Sequence, residues 1–287
     1  MKKLVIFGVG LIGGSFALAL KKAGYNTHIV GVGRNLNSLQ QAKKLGVIDS
    51  FETNIQAACL EAELIFIAAP VAQATPILQS IQPYLNMQTV ITDAGSTKSD
   101  VLTSAKTILG EQFSQFVGGH PIAGAEKSGV SAAKADLYAD KNIVLTPTSE
   151  TNPDAIFSVK KLWQACGANV SEMPAETHDN IFAAVSHLPH LLAFALVDDI
   201  AARPNAAQLF SFAASGFRDF TRIAGSHPEM WRDIALANKT ALLNEITAFQ
   251  SELSKLKTML ENEDSLSLQA LFERASTARN NWVNGNK

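Results

Sequence analysis

Residues 4–15 read Leu4-Val5-Ile6-Phe7-Gly8-Val9-Gly10-Leu11-Ile12-Gly13-Gly14-Ser15. Four apolar residues lead into G-x-G-x-x-G. A helical pattern follows through Phe16, Leu18, Ala19, Leu20 and Ala23, and Gly24 ends it. The glycine spacing is informative because of this order of strand, tight turn and helix. Gly8 permits the turn, Gly10 leaves no Cβ between the backbone and a pyrophosphate, and Gly13 lets the helix pack closely on the strand. The first helical N–H groups, from Leu11 and Ile12 onward, face the phosphates. The stretch predicts a dinucleotide site.

Further along, strands and helices alternate. Strands are expected at His28–Val32, Leu64–Ala68, Thr89–Thr92, Phe116–Gly119, Asn142–Thr146 and Asn169–Glu172, with helical patterns between most of them. This alternation predicts an α/β fold with a mostly parallel, doubly wound sheet of Rossmann type. After Pro174 the strand signal stops. The reading is a dinucleotide-binding domain over residues 1–172 and an all-α domain over 173–287, with helix breaks near Pro189, Pro204, Gly216 and Gly225–Pro228. The longest helix is expected from Pro228 to about Asn262. Its apolar positions Leu242, Ile246, Phe249, Leu253, Leu256 and Leu260 form a heptad seam, which suits either intradomain packing or a subunit interface.

Composition excludes several classes. The 287 residues are 47% hydrophobic and 17% charged, with net charge −2, so no basic surface invites nucleic acid. No stretch reads as a bilayer span, and no signal-peptide pattern opens the chain. Cys59 and Cys166 lie far apart and suit buried, reduced thiols in a cytoplasmic protein. No metal-ligand spacing is found.

Ligands of doubly wound sheets collect beyond the carboxyl ends of the strands. After His28–Val32 come Gly33 and Arg34, where NAD sites usually carry an acid for the ribose hydroxyl. Gly33 leaves room for a 2′-phosphate and Arg34 can pair with it, which favours NADP, with NAD as the alternative. After Thr89–Thr92 comes Asp93-Ala94-Gly95-Ser96-Thr97-Lys98, whose Ser96 and Thr97 also suit helix capping. After Phe116–Gly119 comes His120, placed where a nicotinamide and its substrate should meet. A neutral imidazole there suits removal of a hydroxyl proton during hydride transfer. In the helical half, Ser186-His187-Leu188-Pro189-His190 places two histidines at an expected helix break. Ser215–Arg222 holds Arg218 and Arg222, either of which can grip a carboxylate.

Together, GVGLIGGS from Gly8, TDAGSTKS from Thr92, GGHPIAGAEKSG from Gly118, SHLPH from Ser186 and SGFRDFTRIAG from Ser215 resemble the prephenate/arogenate dehydrogenase family. The resemblance implies oxidative decarboxylation of a cyclohexadienyl acid in tyrosine biosynthesis, with prephenate favoured over arogenate. By that analogy His120 accepts the hydroxyl proton, and Ser96 hydrogen-bonds near that hydroxyl and His120. His187 lies close to substrate and nicotinamide. Arg222 binds a substrate carboxylate, with Arg218 the weaker candidate, and Glu126 stands at the pocket mouth. It also implies a homodimer through the C-terminal helices. Two other readings remain: an NADP-dependent hydroxy-acid or imine dehydrogenase with a helical second domain, and a non-enzymatic NADP sensor.

Overall fold

The computed structural model describes residues 1–125 and 127–285. Eight strands form one sheet: β1 Lys3–Phe7, β2 His28–Val32, β3 Ser50–Phe51, β4 Leu64–Ile67, β5 Val90–Asp93, β6 Phe116–Pro121, β7 Asn142–Thr146 and β8 Asn169–Glu172. Their spatial order is β3-β2-β1-β4-β5-β6-β7-β8. All neighbours are parallel except β6 and β7. The order reverses direction between β1 and β4, so the glycine turn that follows β1 opens at the crevice where such sheets bind ligands. The two-residue β3 is absent from the sequence expectation, because a strand that short carries no periodicity.

Helices cover both faces. They are α1 Leu11–Lys22, α2 Leu36–Lys44, α3 Ile55–Cys59, α4 Ala74–Ile81, α5 Ser99–Leu109 and α6 Pro153–Ala165. The alternation within β1 sorts the core. Leu4 and Ile6 join Phe16, Phe66, Tyr138 and Trp163 on one face, while Val5 and Phe7 join Leu78, Ile81 and Val101 on the other. A strand buried on both faces has to be apolar throughout, as Leu4–Phe7 is. Cys59 and Cys166 are both buried and unpaired, as expected. Burial pushes their thiols up, to about 11 and about 12, so neither forms a reactive thiolate near neutral pH.

Beyond β8 the chain is helical: α7 Ala175–Phe182, a π turn Ala183–His187, α8 Leu188–Ala201, α9 Ala206–Ser211, α10 Ser215–Thr221, α11 Pro228–Ala237, α12 Lys239–Glu261 and α13 Ser265–Gly285. Four expectations need correction. Pro189 does not break a helix, since Ala175–Ala201 is one continuous helical run. Proline lacks an N–H and crowds the carbonyl four residues back, and the π turn just before it gives the wider local winding that accommodates it. That run is long and apolar enough to cross a membrane by length and composition, which no stretch of sequence had suggested. Here it carries the buried polar residues His178, Asp179 and His187. Finally, Pro228–Asn262 is two helices. Asn238, at φ −103° and ψ 29°, interrupts them, and its buried side chain is bonded elsewhere. Gly216, read as a break, lies in the first turn of α10.

By packing, the chain forms two units, Met1–Lys239 and Thr240–Lys287. Helices α7 to α11 therefore belong with the sheet. The sequence division at 172 marks where the strands stop. In the second unit Leu253, Leu260, Leu266, Phe272 and Trp282 are exposed.

Candidate active site

The β1–α1 turn has the shape a dinucleotide requires. Gly8 has φ +93°, and a Cβ there would run into the carbonyl oxygen of Ala68. A Cβ on Gly13 would strike the Gly8 carbonyl and lie 2.8 Å from Ile6 Cγ2. A Cβ on Gly10 would meet nothing within 4 Å. Packing explains the first two glycines, whereas the third borders open space. Among the described residues no side chain caps α1, and its first turn holds no acid. The N–H groups of Leu11, Ile12 and Gly13 are thus presented at the positive end of the helix dipole, which fits a pyrophosphate. Arg34 is solvent-exposed past the end of β2, and Asn35 beside it caps α2 by accepting from the Ser38 N–H at 3.1 Å.

His120 lies inside β6, one residue before its end, rather than just past a strand. Parallel pairing of β5 with β6 stops at Thr92↔Val117, but antiparallel pairing with β7 carries β6 on, with His120 opposite Val144. His120 therefore still stands beyond the end of the parallel ladder. Its ring packs on Phe182, with centroids 4.8 Å apart. Nδ1 lies 2.8 Å from His178 Nε2. His120 is only partly buried, and the side-chain hydrogen bond it makes among the described residues is this one at Nδ1.

The preceding residue is clamped. Asp93, at the end of β5, accepts from the Gly119 N–H at 3.0 Å, and Lys98 Nζ donates to the Gly119 carbonyl at 2.8 Å. Asp93 and Lys98 also form a buried ion pair, with side chains 2% and 0% exposed. A Cβ on Gly119 would approach the Asp93 carbonyl to 2.8 Å, so only glycine fits there.

Asp179 ties α7 to α5. Its Oδ1 accepts from the Lys98 N–H at 2.9 Å and lies 2.8 Å from His178 Nδ1, and its Oδ2 accepts from the Ser99 N–H at 2.9 Å. Burial raises its pKa, but these hydrogen bonds outweigh that and hold it below the usual carboxylate value. Burial likewise lowers His120 well below 6.5, with the Lys98 charge and any proton taken up by His178 or His187 acting in the same direction. His187 is lowered to about 4, chiefly by burial. Its Nδ1 faces Asn238 Nδ2 at 3.1 Å, and that same amide nitrogen donates to the Asp179 carbonyl at 2.8 Å. His187 Nε2 is buried without a partner among the described residues. His190 stacks on Trp231 at 3.6 Å. Burial lowers its pKa, and the Arg222 charge lowers it further.

The structure brings His120 and His187 into one cluster, while Arg222 opens the turn Arg222–Gly225 and its charge reaches His190. Arg218 is exposed on α10. Glu126 lies outside the described residues. Ser96 is partly buried in the β5–α5 loop, and His120 Nδ1 is paired with His178. Sequence reasoning missed His178, Asp179, Asn238 and Trp231. Their partners are distant in the chain, so no local spacing marks them. The only sequence signal was the presence of polar residues, His178 and Asp179, on a helix that is otherwise partly buried.

A dinucleotide turn and an imidazole held beyond the parallel strand ends define a dinucleotide-dependent dehydrogenase with a helical second half. Family models for the prephenate dehydrogenase nucleotide-binding domain and dimerization domain match residues 16–172 and 174–274. The chain belongs to the prephenate dehydrogenase family. It is 40% identical to the prephenate dehydrogenase of Bacillus subtilis (strain 168), over 96% of this chain and 75% of that one. The structure of prephenate dehydrogenase from A. aeolicus in complex with hydroxyphenyl propionate and NAD+ superposes with TM-score 0.91 and 38% identity, covering 97% of each chain. Synechocystis arogenate dehydrogenase gives TM-score 0.83 and 27% identity, over 98% of this chain and 99% of that one.

Proposed function

We propose that the chain oxidatively decarboxylates prephenate to 4-hydroxyphenylpyruvate in tyrosine biosynthesis, in the cytoplasm. The observation that carries this reading is His120, partly buried beyond the parallel strand ends and hydrogen-bonded through Nδ1 to His178, with Arg222 close enough for its charge to reach His190. Bound at the glycine turn of Gly8, Gly10 and Gly13 and the helix start at Leu11 and Ile12, a nicotinamide dinucleotide supplies the hydride acceptor. His120 Nε2 takes the ring hydroxyl proton as the carbon–hydrogen bond breaks. Loss of the ring carboxylate as carbon dioxide then makes the ring aromatic. His187, whose Nδ1 accepts from Asn238, carries its proton on a buried Nε2 and is assigned to the substrate and nicotinamide, and Ser96 is assigned to the substrate hydroxyl. Glu126 is assigned to the pocket mouth.

Arg222 holds a substrate carboxylate, with Arg218 the second candidate. Arg222→Ala should raise KM for prephenate about a hundredfold and change kcat much less, because a charge-assisted bidentate contact is mainly ground-state binding. Steady-state kinetics check this, and an unchanged KM would move the role to Arg218. Arogenate is the alternative substrate, on the strength of the Synechocystis likeness. Comparing kcat/KM for prephenate and arogenate decides between them, and turnover of neither would overturn the proposal.

Arg34 and Gly33 favour NADP, while the A. aeolicus protein was solved with NAD+. Arg34→Ala should lower kcat/KM for NADP about tenfold and leave NAD little changed. A native preference for NAD would remove the NADP assignment. We further propose a homodimer through helices of 173–287. The dimerization-domain match and the exposed Leu253, Leu260 and Leu266 support it.

A further inference from the structure

We propose that His178 and Asp179 are positioning residues that hold His120 in the one tautomer able to act as a base; this rests on the assignment of His120 as the proton acceptor. Asp179 is an acceptor on both oxygens, already engaged by the N–H groups of Lys98 and Ser99. A carboxylate in that setting requires a proton on His178 Nδ1, 2.8 Å away. In the neutral imidazole that leaves His178 Nε2 bare, so at 2.8 Å it accepts the proton carried by His120 Nδ1. His120 Nε2 then keeps its lone pair. The opposite arrangement needs His178 as an imidazolium, and burial of His178 disfavours that charge. Ring flips are resisted because His178 and His120 both pack on Phe182, at 4.5 and 4.8 Å between centroids.

The anchor is built into the fold. From α7, the Asp179 carboxylate reaches the N-terminus of α5, where the helix dipole favours a negative charge. When His120 takes up the substrate proton, its positive charge is stabilised through His178 to that carboxylate. The other charged or titratable groups around His120 are Lys98 and Asp93, at the ends of the β5–α5 loop, and His187 on the π turn. Lys98 acts against a charge on either imidazole and Asp93 offsets it at His178, while Asp179 is the anion hydrogen-bonded to the pair.

The direct test is nitrogen NMR of the full chain labelled with 15N-histidine at neutral pH, with the His120 signal identified by its loss in His120→Asn. The expected pattern is a protonated Nδ1 and a bare Nε2. A protonated Nε2 would overturn the proposal. Kinetics with prephenate and NADP or NAD give the second readout. His178→Phe should lower kcat about a hundredfold with KM changed less than about twofold, while His178→Gln, whose amide oxygen still accepts from His120, recovers about tenfold of that loss. Asp179→Asn should move the acid limb of kcat down by about one pH unit, because the anion that favours the imidazolium is gone. Equal losses in the Phe and Gln variants with an unmoved acid limb would mean that His178 only fills space. The two readings fail separately. Full turnover by His120→Asn removes the base assignment itself, whereas its loss together with the wrong tautomer removes only the roles of His178 and Asp179.

Discussion

Replacing His120 with asparagine is expected to lower kcat about a thousandfold while KM for both ligands changes little, since a positioned general base contributes roughly two to four orders of magnitude. Asparagine keeps a polar group near His178 but cannot accept a proton at neutral pH. The native pH profile should show the reason. Burial and the neighbouring positive groups hold His120 well below 6.5. The base is active when neutral, so the acid limb of kcat/KM should fall below pH 6.5, the reverse of an enzyme relying on a raised histidine. In His120→Asn that limb should disappear. A variant with native turnover from pH 5 to 8, or a native limb above 7, would contradict the assignment.

Lys98→Met should be the most destabilising single change in the site. The Lys98 and Asp93 side chains are sealed from solvent, and the substitution leaves the Asp93 carboxylate buried with only the Gly95 and Gly119 N–H groups for compensation. Removing one partner of a buried pair costs about 3–5 kcal/mol, a large share of the stability of a typical domain. The midpoint of denaturant unfolding reads this loss. Because Lys98 also donates to the Gly119 carbonyl, the strand end that carries His120 should loosen too, and kcat should fall in whatever protein remains folded. A loss below about 1 kcal/mol would mean that the site relaxes enough to rehydrate Asp93.

The glycine turn, the alternation of strands and helices, and the switch to helices after Pro174 were legible in the chain, because each depends on local periodicity or local backbone demands. Leu4–Phe7 has to be apolar when both sheet faces are covered, and Gly8 and Gly13 have to be small where Ala68 and Ile6 crowd them. His120 was legible for a related reason: it follows an apolar run, and the ends of such runs are where ligands collect. Asp93 and Lys98 were visible as residues but read only as part of a loop. Their meaning depends on Gly119, which pairs with them across the sheet.

The helical half was read less well. Pro189 was expected to break a helix and the heptad periodicity to belong to one helix from Pro228, but a π turn absorbs the proline and the non-helical Asn238 divides the long segment. Tertiary packing overrides propensity in such places. By itself, then, the sequence determined the dinucleotide turn, the doubly wound sheet, the helical second half and the place of His120. Only the tertiary structure decided what surrounds that imidazole: His178 58 residues away, Asp179 of α7 accepting from the first N–H groups of α5, and Asn238 joining Asp179 to His187. Hydrogen bonds between distant segments carry no period and no spacing, so they exist as information only once the chain has folded.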